Sequence, residues 1–370
     1  MAAQPMILRR LLSPALVTLL AALLVLGVVL ARAGWDVDDI IRPGTQFTQG
    51  DPAGSEGYDG QFFYAIARYA DPQEAAQYLD VPAYRYQRIL LPLLARGLSF
   101  GQTSLLAWML PLVALAAHLV GVQLLAQLLQ GWGHSRWYAL GYGLLLGCLL
   151  SIRLALPETL AFGLVIAAVW CEQRGRSPLA WLLFSLAVFA KETALLFVAA
   201  QGLSYLCARR WRDAAGLAAV VGLPMIAFRL WLLGQFGSLG FGLGGANATG
   251  LEWIPFAGWW RIGEYSPVWM LAVGLLYLPS IFLPTLWGLW AGARAWLRER
   301  ADFSALALLG HAAVMPFMPL ALYIEPYGAV RLAVGLQLAA LLFAGRHGVR
   351  RVLAYGVLFT LMSLWLFVPD

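Results

Sequence analysis

The sequence has little charge and few of the side chains that bind metals or carry redox chemistry. Only 12% of the 370 residues are charged, whereas about a quarter is typical of soluble domains. The three cysteines form no CxxC pair, and the four histidines show neither HxxH nor HExxH spacing. The sequence therefore argues against a dithiol redox centre, a cysteine metal site and a helix-borne zinc site.

Lysine and asparagine are almost missing as well. Lys191 is the only lysine among the 25 basic residues, and Asn247 is the only asparagine. This usage is typical of a GC-rich genome, so we expect a bacterial protein.

Apolar residues dominate the composition. They make up 61% of the chain, and the mean hydropathy is +0.73. No soluble domain of this length has such a composition, so the sequence predicts an all-α, polytopic integral membrane protein. The net charge of +6 does not indicate a nucleic-acid partner, because positive charge in membrane proteins belongs to cytoplasmic loops.

Long apolar runs recur along the whole chain, which we interpret as one transmembrane domain over residues 1–370. A span needs about 20 apolar residues, and shorter spans occur where the bilayer thins. We predict eleven spans, at 11–32, 104–130, 137–152, 158–171, 178–190, 194–208, 214–234, 268–292, 303–322, 328–345 and 352–368. The segments 137–171 and 178–208 are each either a short hairpin or one tilted helix, and nine spans result if both are single helices.

The distribution of basic residues predicts the orientation of these spans. Arg9 and Arg10 precede the first span, which we interpret as an uncleaved anchor. With the N terminus in the cytoplasm, fourteen of the 25 basic residues and only four of the 19 acidic residues fall on the inner side. The expected location is therefore the bacterial cytoplasmic membrane, with any outer site facing away from the cytoplasm.

Two predicted outer segments are long. The first, residues 33–103, is rich in acids and aromatics, and Phe62, Phe63 and Ile66 fall on one face of an amphipathic interfacial helix that starts at Asp59. The second, residues 235–267, is rich in glycine and then in tryptophan. We interpret it as a mobile cover over an outer-face site, with a plain flexible connection as the alternative.

Charged residues also occur at the predicted outer turns between spans. Charges at membrane depth cost roughly 3 kcal/mol each, so they usually pair or line a polar cavity. Either each pair caps its own hairpin, or the pairs converge with the 33–103 segment into one outward-facing cavity. The pairs are Arg153 with Glu158, Lys191 with Glu192, and Glu325 with Arg331.

Two stretches resemble a known family. Residues 57–67 read Gly-Tyr-Asp-Gly-Gln-Phe-Phe-Tyr-Ala-Ile-Ala, and residues 84–94 read Tyr-Arg-Tyr-Gln-Arg-Ile-Leu-Leu-Pro-Leu-Leu. Together they resemble the first outer loop of membrane glycosyltransferases of the C fold class (GT-C), including GPI mannosyltransferases, over about 40 residues. Gly60 departs from the paired-acid branches of that class, where a second acid stands, so Glu56 is the candidate for the second carboxylate. Asp36, Asp38 and Asp39 are rival catalytic acids.

The resemblance implies transfer of a sugar from a polyprenyl-phosphate donor to a lipid, glycan or protein hydroxyl at the outer face. Asp59 would act as the general base, with Glu56 beside it. Basic side chains would stabilise the leaving phosphate, and no metal or other cofactor is assigned. The phosphate-binding candidates are Arg85 and Arg88 first, then Arg153, Lys191 and Arg331. The expected supporting residues are Tyr58, Gln61, Tyr86, Glu158, Glu192 and Glu325.

Other interpretations of the same residues stay open. Asp59 is also suited to capping the interfacial helix, and Arg85 and Arg88 to anchoring the chain at the interface. For the whole protein, the alternatives are a lipid or glycan transporter or flippase, and a structural subunit without chemistry. A flippase would expose polar residues at both membrane faces, whereas the charges here gather at one.

Overall fold

A computed structural model describes residues 12–242, 244–246, 248–358, 362 and 366 of the chain. The described residues form helices and connecting turns, with no β-strand among them, which confirms the all-α prediction. Arg9, Arg10, Asn247 and most of 359–368 in the last predicted span lie outside the described residues.

The N-terminal half contains the segment 33–103 between two long helices, followed by shorter helices. In chain order, these helices are α1 Pro14–Arg32, α2 Asp38–Ile41, α3 Thr45–Thr48, α4 Gly60–Arg68, α5 Pro72–Ala76, α6 Pro82–Tyr86, α7 Leu90–Leu98, α8 Thr103–Gly131, α9 Leu140–Gly143, α10 Leu146–Arg153, α11 Glu158–Glu172 and α12 Ser177–Ala190. A 3₁₀ turn, Arg136–Ala139, precedes α9.

The C-terminal half has longer helices and one more extended loop, between α14 and α15. The helices are α13 Leu195–Cys207, α14 Trp211–Phe236, α15 Ala257–Trp260, α16 Ile262–Tyr265, α17 Pro267–Tyr277, α18 Leu283–Arg298, α19 Phe303–Val314, α20 Leu320–Ile324, α21 Pro326–His347 and α22 Arg350–Leu358. Glu192–Ala194 and Met315–Phe317 are 3₁₀ turns, and the π-helical turn Leu278–Phe282 joins α17 to α18.

Helix starts follow local sequence signals. Proline occupies the first turn of several helices, where its missing N–H costs nothing. The Ser13 hydroxyl accepts the Leu16 N–H at the start of α1, and the Asp302 carboxylate accepts the Ser304 N–H at the start of α19. Side chains thus satisfy backbone donors that have no partner within the helix.

Five helical segments among the described residues are long and apolar enough to cross a membrane. They are Pro14–Arg32, Thr103–Gly131, Trp211–Phe236, Pro267–Arg298 and Pro326–His347. Three shorter apolar segments, Ser177–Ala190, Glu192–Cys207 and Phe303–Phe317, lie where further spans are predicted. The chain is therefore an all-helical protein with apolar helices suited to a membrane. The count of nine to eleven spans, the orientation and a GT-C-like arrangement stay predictions.

The two ambiguous segments are hairpins rather than single tilted helices. The chain breaks between α10 and α11, and again at Lys191, which is extended. Trp181 on α12 donates to the Tyr205 hydroxyl on α13 at 3.2 Å, so α13 returns alongside α12. Trp170 near the end of α11 donates to Gln127 near the end of α8 at 2.8 Å. Both hairpins therefore turn at the same end of the bundle, where Lys191 contacts Glu158.

The helix that the sequence predicts after Asp59 is α4. Its apolar side chains Phe62, Phe63 and Ile66 are all buried against the protein itself. Phe63 packs in a cluster with Leu91 of α7, and Phe62 and Ile66 pack in another that reaches α14. The apolar face of α4 is thus covered by neighbouring helices, which fixes the position of Asp59.

Two glycines beside Asp59 allow the backbone to approach other segments closely. Gly57 has a φ of +69°, and a Cβ there would clash with the backbone of Gly44 and Arg42. A Cβ on Gly60 would lie 2.5 Å from the Leu154 carbonyl oxygen. An acid at position 60, as in the paired-acid branches of GT-C enzymes, does not fit this backbone.

The close approach of Gly60 to the Leu154 carbonyl predicts that a larger residue at position 60 lowers the stability of the protein. We expect Gly60→Ala to destabilise the protein by about 1–3 kcal/mol, because the methyl group forces α4 away from the Leu154 turn. Gly97→Ala is the matched control, since a Cβ at Gly97 in α7 has nothing within 4 Å and alanine is the better helix former. Thermal unfolding in detergent compares the two. A Gly60→Ala protein as stable as Gly97→Ala would contradict the packing described.

Candidate functional site

An ion-pair network surrounds Asp59, at the end of the bundle where the hairpins turn. Arg85 on α6 donates to Asp59 Oδ1 at 2.8 Å, and Arg331 on α21 donates to Asp59 Oδ2 at 3.2 Å. Both guanidinium groups are buried, whereas the Asp59 side chain is 26% exposed. One carboxylate thus joins the N-terminal segment to a helix 272 residues further along the chain.

A deeper layer of the network connects the hairpins. Glu158 Oε1 accepts from Lys191 Nζ at 2.7 Å and from Arg331 Nε at 2.8 Å. Arg88 binds Glu192 through two N–H groups, at 2.7 and 2.8 Å. The charged residues at the hairpin turns therefore pair with one another across helices and do not only cap their own turns.

Each predicted phosphate-binding cation in this network already holds a carboxylate. Arg85 also binds Asp80, with Nε and Nη2 each 2.7 Å from a carboxylate oxygen. Arg88, Lys191 and Arg331 are paired as described above. Arg153 is buried at the end of α10, next to the Leu154 carbonyl that contacts Gly60. An anion that binds Arg85, Arg88, Lys191 or Arg331 thus competes with a carboxylate that is already bound there.

The electrostatics of Asp59 follow from this arrangement. Burial by itself would raise its pKa, but the positive charges of Arg85, Arg331 and Arg88 outweigh burial and hold the pKa below its ordinary value. The residue has helical dihedrals, and its side chain makes no capping hydrogen bond to α4. Asp59 therefore stands at the start of α4, but its carboxylate binds guanidinium groups and does not cap the helix.

A cavity of about 910 Å³ opens beside Asp59. Part of its lining consists of five carboxylates and four aromatic rings, namely Glu56, Asp59, Asp80, Glu192 and Glu325 with Phe47, Tyr58, Phe62 and Tyr84. Its apolar lining comes from α13, α19, α21 and the turn after α19, and comprises Leu196, Val314, Met315, Met318 and Leu332. Arg85 is the one arginine or lysine among the described lining residues. The lining of the cavity thus combines charged, aromatic and apolar side chains.

The predicted site residues divide into three groups. Those that line the cavity are Glu56, Tyr58, Asp59, Gln61, Arg85, Glu192 and Glu325. Those that lie behind its wall, in the ion-pair network, are Arg88, Glu158, Lys191 and Arg331. The third group is Tyr86 and Arg153. Tyr86 is buried in an aromatic cluster with Trp231 and Phe236 of α14, and Arg153 is buried at the end of α10, outside the lining of the cavity. The structure therefore brings most of the predicted residues together.

The Gln61 side chain holds part of the site's backbone in place. Its side-chain oxygen accepts the Gly44 N–H at 2.8 Å, and its side-chain nitrogen donates to the Glu56 carbonyl at 2.7 Å. These two bonds hold the loop that precedes Asp59. Gln61 thereby fixes the backbone that carries Glu56 and Tyr58 along the cavity wall.

The glycine-rich loop after α14 closes one side of the cavity. Its described residues from Gly242 to Leu251 line the cavity, and the Ala246 N–H donates to Asp80 Oδ2 at 3.0 Å. Gln87 donates to the Gly240 carbonyl at 2.6 Å, and the Ala321 N–H donates to the Thr249 hydroxyl at 3.1 Å. The loop is therefore held at several points over the site.

Sequence reasoning missed several residues of this site. Asp80 binds both Arg85 and the loop, and Tyr84 packs under the Arg88 guanidinium, 4.7 Å from ring centroid to Cζ. Asp80 stands five residues before Arg85, ahead of the start of α6, a spacing that the pairing rules for helices do not single out. The rival acids Asp36, Asp38 and Asp39 line another pocket, of about 470 Å³, together with Arg42.

Comparisons with protein-family models, with curated proteins and with solved structures found no match to this chain. Among the described residues, no group of three or more His, Cys, Asp or Glu side chains is arranged to hold a metal ion. The cavity and the residues that line it are therefore the features that bear on function.

Proposed function

We propose that the protein is a membrane glycosyltransferase of the GT-C kind. In this proposal, it transfers a sugar from a polyprenyl-phosphate donor to a hydroxyl of a lipid, glycan or protein at the outer face of a bacterial cytoplasmic membrane. The observation that carries the proposal is the cavity beside Asp59, which combines carboxylates, aromatic rings and one arginine with an apolar wall.

The charged and aromatic residues that line the cavity suit a sugar. Ionised carboxylates accept hydrogen bonds from hydroxyl groups, and five carboxylates line the cavity. The rings of Tyr58, Phe62 and Tyr84 offer apolar faces between them. A volume of about 910 Å³ lies within the usual range for small-molecule sites, roughly 300–1,000 Å³.

The apolar residues that line the cavity suit the hydrocarbon chain of a membrane lipid. Leu196, Val314, Met315 and Met318 carry no charge, and they come from helices or turns within the apolar bundle. Methionine side chains adapt to irregular apolar ligands. A ligand with a polar head and an isoprenoid tail is complementary to both the charged and the apolar lining residues.

The donor phosphate would bind at Arg85. This guanidinium is 5% exposed, lines the cavity and faces Asp59 and Asp80. We expect the phosphate to replace one of these carboxylates, because bidentate guanidinium–phosphate pairs are strong. Arg331 binds the other carboxylate oxygen of Asp59. Its positive charge would stabilise the leaving phosphate as that group becomes more negative.

The proposal predicts donor-dependent turnover by the purified protein. We expect one member of a panel of polyprenyl-phosphate sugars to be consumed in the presence of an acceptor, with free polyprenyl phosphate as product. Chromatographic analysis of the lipid fraction measures both. Excess unglycosylated polyprenyl phosphate should inhibit, because it occupies Arg85 and the apolar wall.

A transporter or flippase is the competing function, and the same preparation tests it. Reconstituted vesicles that move a lipid-linked sugar between leaflets, without any change in the sugar–phosphate bond, would contradict the transferase proposal. The charge network favours a one-sided site, since Asp59, Glu158 and Lys191 all lie at the end where the hairpins turn.

A further inference from the structure

Glu325 differs in its partners from three other carboxylates of the cavity. Asp59, Asp80 and Glu192 each accept hydrogen bonds from a buried guanidinium group. Glu325 also lines the cavity and is exposed there, yet it takes part in no salt bridge with any described residue. Its carboxylate is thus available to a ligand without breaking an ion pair.

The position of Glu325 is fixed by its surroundings. It lies immediately before α21 with extended dihedrals, ahead of Pro326. Its carboxylate faces the Tyr58 hydroxyl, which accepts an N–H from Arg331 at 2.9 Å. Arg331 in turn donates to Asp59. Glu325 is therefore connected to Asp59 through Tyr58 and Arg331, on the wall of the same cavity.

Asp59 is poorly suited to accept a proton in this arrangement. Each of its two oxygens accepts a hydrogen bond from a guanidinium group. A carboxylate held in this way is a weak base, because protonation would break a charge-assisted bond. Asp59 is instead well placed to orient Arg85 and Arg331.

We propose that Glu325 is the general base of the transfer reaction and that Asp59 is the positioning residue for Arg85 and Arg331. This inference rests on the proposed glycosyltransferase function. The acceptor O–H gives its proton to the Glu325 carboxylate while the acceptor oxygen bonds to the anomeric carbon. The bond between that carbon and the phosphate oxygen breaks, and its electron pair stays on the phosphate beside Arg85. Protonated Glu325 then releases its proton to water.

The electrostatic environment of Glu325 agrees with this role. Although the residue is accessible from the cavity, the surrounding protein removes enough water to raise its pKa above the ordinary value. The Tyr58 hydroxyl and the charge of Arg331 lower its pKa by less, and the charge of Asp59 raises it further. A carboxylate with a raised pKa is a better base at neutral pH.

The experiment compares Glu325→Gln with Glu74→Gln, an exposed glutamate of α5 outside the cavity. We expect Glu325→Gln to lower kcat about 100-fold with KM changed less than about threefold, and Glu74→Gln to behave as the wild type. Binding of unglycosylated polyprenyl phosphate should be unchanged in Glu325→Gln. Glu325→Asp should retain part of the activity, because it keeps a carboxylate on a shorter side chain.

The pH profile of the wild type provides a test that needs no variant. If Glu325 is the base, log(kcat/KM) should fall with acidity around a pH above 4.5, the ordinary value for glutamate. If Asp59 is the base, the fall should lie below 3.8. Wild-type kcat in Glu325→Gln, or a profile that is flat down to pH 3.8, would overturn the assignment to Glu325. A wild type that consumes no donor would overturn the proposed function and this inference together.

Discussion

The Asp59→Asn variant is expected to fold and to lose about 10³-fold of its transfer activity. Asparagine has nearly the shape of aspartate but carries no charge, and its amide N–H groups cannot accept from a guanidinium. Arg85 and Arg331 would then lose their common carboxylate. Arg85 would keep Asp80 and Arg331 would keep Glu158, but the two guanidinium groups would no longer be joined to each other beside the donor phosphate. Helix α4 should persist, because the Asp59 side chain does not cap it.

Turnover of the polyprenyl-phosphate sugar measures this loss. Asp51→Asn is the matched control, since Asp51 is exposed and its carboxylate accepts only the nearby Ala53 N–H, a bond that asparagine can also accept. Any residual activity of Asp59→Asn should show its acidic fall at a lower pH than the wild type, because the charge of Asp59 raises the pKa of Glu325. Unchanged turnover would remove Asp59 from the site.

The sequence predicted the bounds of several helices closely, whereas the number of spans stays a prediction. Long apolar runs located α8, α11 and α14 to within a few residues, since burial in a bundle and burial in lipid require the same side chains. An apolar helix in the bundle therefore looks the same in sequence whether or not it crosses the membrane. The helices α12 and α19 are also too short to be assigned as spans by length alone. The turns at 154–157 and at Lys191 follow from the breaks in the helices, and at Lys191 also from the contact between α12 and α13.

The candidate site was predictable in its members but not in its connections. Charge at membrane depth singled out Glu158, Lys191 and Arg331, because such residues need partners. The partners themselves depend on tertiary packing, which brings Arg331 to Asp59 from 272 residues away. Aromatic context misled for Tyr86, whose ring faces α14 and not the cavity.

Glu158 carries the second large prediction, which concerns stability. Its side chain is fully buried, and one of its oxygens holds both Lys191 and Arg331. We expect Glu158→Gln to destabilise the protein by about 3–5 kcal/mol, because it leaves buried positive charge without its carboxylate. Glu172→Gln is the control at the other end of α11. Its partner Arg210 is 44% exposed, so the loss there should stay below about 1 kcal/mol.

A double variant separates lost charge balance from lost packing. Lys191→Met removes the buried ammonium group that Glu158 neutralises, while Arg331 keeps Asp59 as a partner. If unpaired charge causes the instability, Glu158→Gln with Lys191→Met should unfold at a higher temperature than Glu158→Gln alone. If the double variant is instead less stable by the sum of the two single losses, Glu158 and Lys191 contribute independently, and the network does not act as one unit. Coupled behaviour would mean that the ion pairs behind the cavity also hold Arg331, and through it Asp59, in the position that transfer requires.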